Sequence, residues 1–216
     1  AAWRRVGMFY NNCEAKLFDI RHGTDTAGKI DINELVASPE STLHNRGYQA
    51  VNELHFNKAI RSLNLSERSG FLDLGCGKGK ALLLAAKDRR FAFVQGVELS
   101  PALCRIAKTN VTRNLGPCHR AKVNIVEGDA STMPVSPLIN VVFLFHSFDE
   151  MVLGAALSNL KKSLAARPRP LLFLYYNFHY LDLFHTNGFR EVSRFNFFGP
   201  GRNLRVLASG ADEGRA

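Results

Sequence analysis

The distribution of apolar and polar positions changes about one third of the way along the chain. From Phe71 onward, short apolar runs typical of buried strands alternate with segments whose apolar residues recur at helical spacing. This alternation predicts parallel strands joined by helices that cover both faces of one sheet. The predicted strands are residues 71–74, 91–97, 122–126, 139–145 and 171–176.

The last part of the chain has a different pattern. Residues 189–197 and 204–208 are rich in apolar and aromatic side chains, and they are joined through Gly199-Pro200-Gly201. Two such runs around a turn predict an antiparallel pair of strands. With the five parallel strands, this pair makes a seven-stranded sheet. The predicted fold class is therefore α/β, with three layers and a mostly parallel sheet that ends in an antiparallel hairpin.

The segment before the first strand is polar as far as Asn45 and has a helical pattern from about Tyr48 to Leu63. No repeat, low-complexity linker or second apolar core separates this segment from the rest of the chain. We therefore predict one domain, in which residues 1–65 form an N-terminal extension with a cap helix. Residues 66–216 form the core of that domain.

Composition places the chain among globular proteins. Its 46% apolar and 22% charged residues are ordinary for a folded domain. No run approaches the roughly 20 apolar residues that a membrane span needs. The four cysteines form neither a CxxC pair nor a run with metal-ligand spacing, so we expect a reduced, cytoplasmic environment and no metal site.

The net charge of +9 has two interpretations. A basic surface favours nucleic acid or an acidic protein as a partner. The basic residues also lie on segments that water would cover in any case. No basic motif interleaved with aromatic residues accompanies them, so a plain basic surface is the simpler interpretation and nucleic acid is the weaker candidate.

A glycine-rich turn follows the first predicted strand, in the segment Leu72-Asp73-Leu74-Gly75-Cys76-Gly77-Lys78-Gly79-Lys80. Missing side chains at the glycines let a ligand approach the backbone, and the start of the next helix supplies unpaired N–H groups. A dinucleotide-binding turn would have glycine at position 80, which is lysine. A phosphate loop of the Walker type is excluded as well, because no Gly-Lys-Ser/Thr sequence follows.

Acidic residues stand at the predicted ends of three successive strands. Asp73 precedes the glycines, Glu98 closes the second strand, and Asp129 with Ala130 follows the third. Ligands of open α/β sheets bind at these carboxyl ends. A carboxylate at position 98 can accept both hydroxyls of a ribose, and one at position 129 can receive an adenine amino group. Each acid also has a structural alternative, as a turn cap, a solvated strand end or a helix N-cap.

Together these residues resemble a known family. The segment Asp73-Leu-Gly-Cys-Gly-Lys-Gly resembles motif I of the class I, Rossmann-like methyltransferases, while Glu98 and Asp129 match their ribose-side and adenine-side acids. The resemblance covers roughly residues 70–209. It implies S-adenosylmethionine as the methyl donor and S-adenosylhomocysteine as the product. It also implies that the cofactor is bound by Asp73, Gly75, Cys76, Gly77, Gly79, Glu98, Asp129 and Ala130.

A closer similarity involves the segment Phe18-Asp19-Ile20-Arg21-His22-Gly23-Thr24-Asp25-Thr26 together with the glycine turn. Both are similar to a group of small bacterial-type methyltransferases, which in turn are similar around motif I to non-SET protein-lysine methyltransferases. In such enzymes a loop ahead of the first strand often carries an aromatic residue onto the cofactor. Tyr48 is the candidate for this role, and an ordinary packed tyrosine is the alternative.

The acceptor side departs from the amino-methyltransferase pattern. In that family the fourth strand is commonly followed by Asn/Asp-Pro-Pro-Tyr/Phe, and this chain keeps the aromatic residue as Phe148. His146 and Ser147 stand where asparagine and proline are expected. His146 could remove a proton from the acceptor, or it could only shape the pocket. We predict His146 and Phe148 as catalytic residues and Ser147 as a contact to the substrate.

A second acceptor wall is predicted after the fifth strand, where Tyr176 and Asn177 belong to a run of aromatic residues. Such a run can hold a flat or cationic group, or it can close the edge of the sheet. The leading hypothesis is methyl transfer to a nitrogen, with a protein lysine as one candidate acceptor. The alternatives are a small or aromatic metabolite, an RNA acceptor, and a non-catalytic nucleoside-binding scaffold.

Overall fold

The computed structural model describes residues 2–30, 47–145, 147–197 and 203–209. Its helices are α1 (Ala2–His22), α2 (Glu53–Arg61), α3 (Lys80–Lys87), α4 (Pro101–Asn114), α5 (Pro117–Arg120), α6 (Glu150–Ala166) and α7 (Leu181–Thr186). Its strands are β1 (Lys29–Ile30), β2 (Tyr48–Gln49), β3 (Ser69–Leu74), β4 (Phe91–Glu98), β5 (Val123–Glu127), β6 (Ile139–Phe145), β7 (Leu172–Tyr176), β8 (Phe189–Asn196) and β9 (Asn203–Ser209).

Seven strands form the main sheet, in the order β5-β4-β3-β6-β7-β9-β8. The pairs from β5 across to β7 are parallel, whereas β9 is antiparallel to both of its neighbours. Six strands therefore run in one direction and β9 runs in the other. The predicted α/β fold with a C-terminal antiparallel hairpin is confirmed, although the turn at residues 199–201 lies outside the described residues.

The core contains two large apolar clusters, one on each face of the sheet, and a third, smaller one between α1, β2 and α4. Side chains alternate along a strand, so Phe71 of β3 packs into one cluster while Leu72 packs into the other. The first cluster also contains Phe56 of α2 and residues of α3, and the second contains residues of α6 and α7. Every residue of β3 is buried, which explains why its apolar residues do not alternate with exposed polar ones.

The N-terminal part differs from the prediction in two ways. The helix expected from about residue 48 begins at Glu53, because the Asn52 side chain caps it by accepting from the N–H groups of Leu54 and His55. Tyr48 lies ahead of it in β2, which pairs with β1. The preceding polar region contains the 21-residue helix α1, which no pattern predicted. Within the described part of the chain, no helix is long and apolar enough to cross a membrane.

Candidate functional site

A cleft opens where β3, β4, β5 and β6 end at the same edge of the sheet. It encloses about 650 Å³ of empty space, part of which is open to solvent. Eight residues that were predicted from the sequence line this cleft, namely Tyr48, Gly75, Gly77, Glu98, Asp129, Ala130, Ser147 and Phe148.

The turn after β3 requires glycine at positions 75 and 77. Gly75 and Gly77 both have positive φ angles, of 78° and 54°, which residues with a side chain rarely adopt. A Cβ atom on Gly75 would lie 2.6 Å from Oγ of Ser147, and one on Gly77 would overlap the ring of Tyr48. The glycine turn is therefore covered by an aromatic ring from the N-terminal segment on one side and by the residues after β6 on the other.

Glu98 joins the end of β4 to this turn. Its Oε2 accepts a hydrogen bond from the Gly77 N–H at 2.8 Å, and its Oε1 accepts one from the Ser100 N–H at 2.9 Å. The side chain is only 8% exposed, and burial raises the pKa of its carboxyl group. A solvated strand end, the alternative interpretation of this residue, does not fit such an environment.

Asp73 is the most deeply buried acid of the site, with 3% of its surface exposed. Burial, and after it the negative charge of Glu98, raises the pKa of the Asp73 carboxyl well above its usual value. The described residues supply no hydrogen-bond donor to this carboxyl, so the expected alternative of a turn cap is not seen. It borders a narrow recess beside the main cleft, together with Tyr48, Gly75 and Lys80.

Asp129 and Ala130 form the wall of the cleft after β5. Asp129 Oδ1 accepts from the Ser131 N–H at 2.8 Å, so this residue stabilises a local turn; no helix begins in the described stretch between β5 and β6, and the expected N-cap is not seen. It lines the cleft as well, and the two roles are compatible because a carboxylate accepts several hydrogen bonds. Ala130 is buried against the second apolar cluster.

Two predicted residues of the glycine turn do not line the main cleft. Cys76 points into the first apolar cluster, where a Cβ atom on Gly96 would lie 2.7 Å from its Sγ atom. Gly79 is the N-cap of α3 and packs beside Ala107 of α4. Both residues shape the turn, and Cys76 anchors it through a 3.0 Å hydrogen bond from its N–H to the carbonyl of Val97.

The acceptor end of the cleft is lined by Phe145, Ser147 and Phe148. Phe148 is buried, and the Ser147 hydroxyl donates to the carbonyl of Phe145 at 3.3 Å. His146, the predicted catalytic base, lies outside the described residues. Asp149 caps α6 by accepting from two N–H groups of its first turn.

Tyr176 and Asn177 do not form the predicted second wall of the cleft. The Tyr176 side chain is 1% exposed and belongs to the first apolar cluster, with its hydroxyl 2.7 Å from Nδ1 of His55. Asn177 has a φ of 52°, and its N–H donates to the carbonyl of Asn203 at 2.8 Å. Tyr176 packs in the core, and Asn177 extends the contact between β7 and β9.

Sequence reasoning missed a set of ion pairs behind the glycine turn. Lys78 Nζ lies 2.7 Å from Oδ1 of Asp25, and Lys80 Nζ lies 2.8 Å from Oε1 of Glu14. Both lysine side chains are almost fully buried, and burial lowers the pKa of Lys80 although Glu14 opposes this effect. The only sequence signal near these ion pairs was the similarity of residues 18–26 to a family, and that similarity assigned no role to these residues.

The strand order and the position of the cleft are those of the class I methyltransferase fold. Residues 71–167 match the family described as "Methyltransferase domain". The matched segment runs from β3 to α6, so the similarity to methyltransferases covers the part of the chain that contains the glycine turn and Glu98. The chain's expected similarity to non-SET lysine-modifying enzymes has a counterpart in a protein-lysine N-methyltransferase of Saccharolobus islandicus, which is 30% identical over 106 residues.

That match covers 49% of this chain and 64% of the archaeal protein, so the chain spans less than two thirds of this relative's length. Among solved structures, the methyltransferase domain of the bacterial protein CtHen1-C has a TM-score of 0.58 at 20% identity and covers 74% of this chain and 99% of its own. The glycopeptide N-methyltransferase MtfA, solved with sinefungin, has a TM-score of 0.60 at 14% identity. The match covers 75% of this chain and 87% of MtfA. At these identities the two structures establish the fold alone.

Proposed function

We propose that this chain is an S-adenosylmethionine-dependent methyltransferase whose acceptor is a nitrogen, with a protein lysine as the leading candidate. One observation carries the proposal: a buried carboxylate at the end of β4 is hydrogen-bonded to a glycine turn that has no room for side chains. The match to a protein-lysine N-methyltransferase supports the choice of nitrogen.

The residues of the cleft fit the proposed cofactor. Glu98 and Asp129 are the only ionisable acids or bases, other than the Tyr48 phenol, among the described residues that line it, although the whole chain carries a net charge of +9. Walls that carry two acids and no base favour a cationic ligand and repel a phosphate. Glu98 would accept the ribose hydroxyls, and Asp129 and Ala130 would border the adenine. The buried carboxyl of Asp73 suits an ammonium group.

Most of the catalysis in this proposal is positioning. S-adenosylmethionine, held by the cleft residues, would supply a methyl group on a sulfonium for transfer to the acceptor nitrogen, with S-adenosylhomocysteine as the leaving group. Holding two reactants in a reactive geometry removes a large entropic part of the barrier. Phe145 and Phe148 would exclude water at the acceptor end, and the carbonyl of Phe145 is an acceptor at the same end for an N–H group of the amine.

A small aromatic metabolite is the second candidate acceptor. The observation in its favour is that two phenylalanine rings, Phe145 and Phe148, line the acceptor end together with one hydroxyl, that of Ser147. A flat ring could pack between such side chains. Base catalysis by His146 would then be needed for a hydroxyl acceptor, because a hydroxyl must lose its proton as it attacks.

We further propose that residues 1–65 belong to the same domain as residues 66–216. Phe18 of α1 is buried in the first apolar cluster, and Tyr48 lines the cleft. A chain truncated before Ser66 would expose this cluster and remove the aromatic cover of the glycine turn. We expect such a truncated chain to lose binding of S-adenosylhomocysteine, measured by calorimetry; full binding would contradict the proposal.

Calorimetry followed by a transfer assay tests the function. S-adenosylhomocysteine should bind, while NAD and ATP should not. Glu98→Ala should weaken binding by roughly 1.5–3 kcal/mol, the worth of hydrogen bonds to a charged group. Donor labelled in the methyl group is then incubated with lysate that has been separated into protein, RNA and small molecules.

Label recovered as methyl-lysine after hydrolysis of the protein fraction supports the leading candidate. Label in the small-molecule fraction selects the second candidate, and label in RNA contradicts both. Binding of S-adenosylhomocysteine without transfer to any fraction would indicate a non-catalytic binding protein. Tight binding of NAD with no response to S-adenosylhomocysteine would overturn the whole proposal.

A further inference from the structure

One carboxylate near the end of α1 organises the loop that follows this helix. Asp19 Oδ1 accepts hydrogen bonds from the Thr24 hydroxyl at 2.6 Å, the Thr26 N–H at 2.8 Å and the Thr26 hydroxyl at 2.7 Å. Its Oδ2 accepts from the Ala27 N–H at 2.6 Å. Four donors on one side chain fold residues 24–27 into a fixed conformation, and we name these four residues the strap.

The strap contacts the glycine turn through two side chains. The Tyr48 hydroxyl donates to the carbonyl of Thr26 at 2.6 Å. Lys78, which lies within the turn, donates from Nζ to the carbonyl of Ala27 at 2.9 Å and to Oδ1 of Asp25 at 2.7 Å. The strap therefore holds both the ring that covers the turn and a lysine of the turn itself.

Asn110 of α4 closes the arrangement. Its Nδ2 donates to the carbonyls of Asp25 and Lys78, both at 2.9 Å, and its Oδ1 accepts from the Asp25 N–H at 3.0 Å. This side chain is buried and bridges the strap to the glycine turn directly. The strap is thus connected to the turn at three points, each of which involves a hydrogen bond to the main chain of the strap.

The connections continue to the ligand-facing atoms of the cleft. The ring of Tyr48 lies where a Cβ atom on Gly77 would be, and the Gly77 N–H donates to Glu98 at 2.8 Å. A displacement of the strap would release the ring of Tyr48, and with it the position of Gly77 and of the carboxylate that it binds. Asp19 itself does not line the cleft.

We propose that Asp19 is a positioning residue for cofactor binding, which acts through the strap and Tyr48 on the glycine turn. The inference rests on the proposed function, because it concerns the affinity of the same cleft for S-adenosylhomocysteine. It assigns a role to residues 18–26, whose sequence had indicated only a family resemblance. Replacing a carboxylate that accepts four short hydrogen bonds is costly, because the N–H and hydroxyl groups that donate to it lose their partner.

Asp19→Asn tests the inference, because an amide has one acceptor oxygen and presents its NH₂ group to a strap donor. We expect the dissociation constant for S-adenosylhomocysteine to rise about 10-fold, the equivalent of one hydrogen bond to a charged group. Asp88→Asn is the matched control. Asp88 accepts three hydrogen bonds from Arg90 at the start of β4, at the sheet edge opposite the cleft. Asp88→Asn should lower the melting temperature by about as much as Asp19→Asn does. It should leave the affinity for S-adenosylhomocysteine unchanged.

A double-mutant cycle separates positioning from a general loss of stability. Tyr48→Phe keeps the ring and removes its hydrogen bond to the strap. If Asp19 acts through this bond, Asp19→Asn in the Tyr48→Phe background should weaken binding by about 3-fold or less, because coupled residues are not additive. Equal effects in both backgrounds would overturn the inference. Asp88→Asn should have no effect on affinity in either background.

A second pair of variants keeps the test decisive if Asp19→Asn does not fold. Thr24→Val removes one hydroxyl donor to Asp19 at nearly constant shape, and Thr24→Ser retains that hydroxyl. We expect about 3-fold weaker binding for Thr24→Val and unchanged binding for Thr24→Ser. Unchanged binding in both variants would contradict the role of Asp19 but not the proposed function. If the unmodified chain does not bind S-adenosylhomocysteine at all, the proposed function fails, and the inference fails with it.

Discussion

The two halves of the cleft are lined by different kinds of residue. The half at the ends of β3, β4 and β5 consists of glycines in left-handed conformations and of acids at or near the ends of these strands. The half at the end of β6 is lined by phenylalanine rings and one hydroxyl. Tyr175 and Tyr176 at the end of β7 turn away from the cleft into the core. The first half is therefore defined by main-chain geometry, and the second by how side chains pack.

This difference has a physical basis in what each half would bind. A nucleoside cofactor offers the same ribose and amine whatever the acceptor, so turn conformation and acid placement are tightly constrained. The acceptor end only has to enclose a nitrogen and exclude water, and many combinations of apolar side chains can do this. Changes in the first half should therefore act on cofactor affinity, and changes in the second on turnover.

The largest effect is expected at His146, which directly follows Phe145 in the sequence. An imidazole accepts a proton near neutral pH, whereas asparagine does not. If the acceptor must lose a proton as it attacks, His146→Ala should lower turnover by about 10²–10⁴-fold and leave the affinity for S-adenosylhomocysteine unchanged. Steady-state turnover and calorimetry measure the two quantities.

His146→Asn distinguishes the two acceptor classes. For an amine that arrives neutral, asparagine should retain most of the activity, because it restores the amide of the amino-methyltransferase pattern. For a hydroxyl acceptor, it should fail nearly as badly as alanine. Full activity of both variants with an unchanged pH profile would show that His146 is only part of the pocket wall.

The next largest effect concerns the half built from main chain. Gly77→Ala combines a backbone strain of about 1–3 kcal/mol at positive φ with a methyl group that overlaps the ring of Tyr48. We expect binding of S-adenosylhomocysteine to weaken about 10- to 100-fold. Gly116→Ala is the control, because its φ is −61° and a Cβ atom there meets nothing within 4 Å. Equal affinities for the two variants would contradict a role for Gly77 in shaping the cleft.

The pH dependence of binding tests the acids of the same half. Burial and the charge of Glu98 raise the pKa of Asp73 in the cofactor-free protein, so its carboxyl is protonated over a wider range than usual. A ligand ammonium favours the carboxylate, and binding must then release a proton. The affinity for S-adenosylhomocysteine should rise by up to 10-fold per pH unit as pH increases through this raised pKa, and level off above it.

The same shift has a consequence for stability. A carboxyl whose pKa is raised in the folded state contributes stability below its unfolded pKa, and this contribution is lost as pH rises through the folded pKa. The cofactor-free protein should therefore lose stability over the range in which affinity increases. Calorimetry in buffers with different ionisation enthalpies counts the released proton. An affinity that falls with increasing pH would contradict the assignment of Asp73.

The parts of this molecule that sequence reasoning predicted share a local cause. The five parallel strands lie within two residues of their predicted bounds. Four of them, β3, β4, β6 and β7, are largely buried and therefore rich in apolar residues. The glycine turn and Glu98 could be placed because turn chemistry depends on neighbouring residues. Helix α1 was missed because its buried face, which includes Ala15 and Phe18, is narrow, and because polar contacts such as those of Asp19 hold it in place.

The error at Tyr176 has a non-local cause. An aromatic residue at the end of a strand can face the cleft or the core, and its partner decides between them. Here that partner is His55, which is 121 positions away in the sequence and lies on the buried face of α2. Phe197 stacks on the same imidazole at a centroid distance of 3.9 Å. No local pattern predicts such a pairing, so the acceptor half could not be derived to the same depth.

The smallest expected effect tests this last placement. Tyr176→Phe keeps the ring beside Phe145 and removes the hydrogen bond to His55, which should cost about 1 kcal/mol of folding free energy and lower the melting temperature by about 2–4 °C. The turnover number and the KM for the acceptor should stay within about 2-fold of the unmodified protein, since the side chain does not border the cleft. A large increase of the acceptor KM with unchanged stability would return Tyr176 to the substrate-binding wall that its sequence position suggested. It would also show that aromatic packing after β7 contributes to the acceptor half after all.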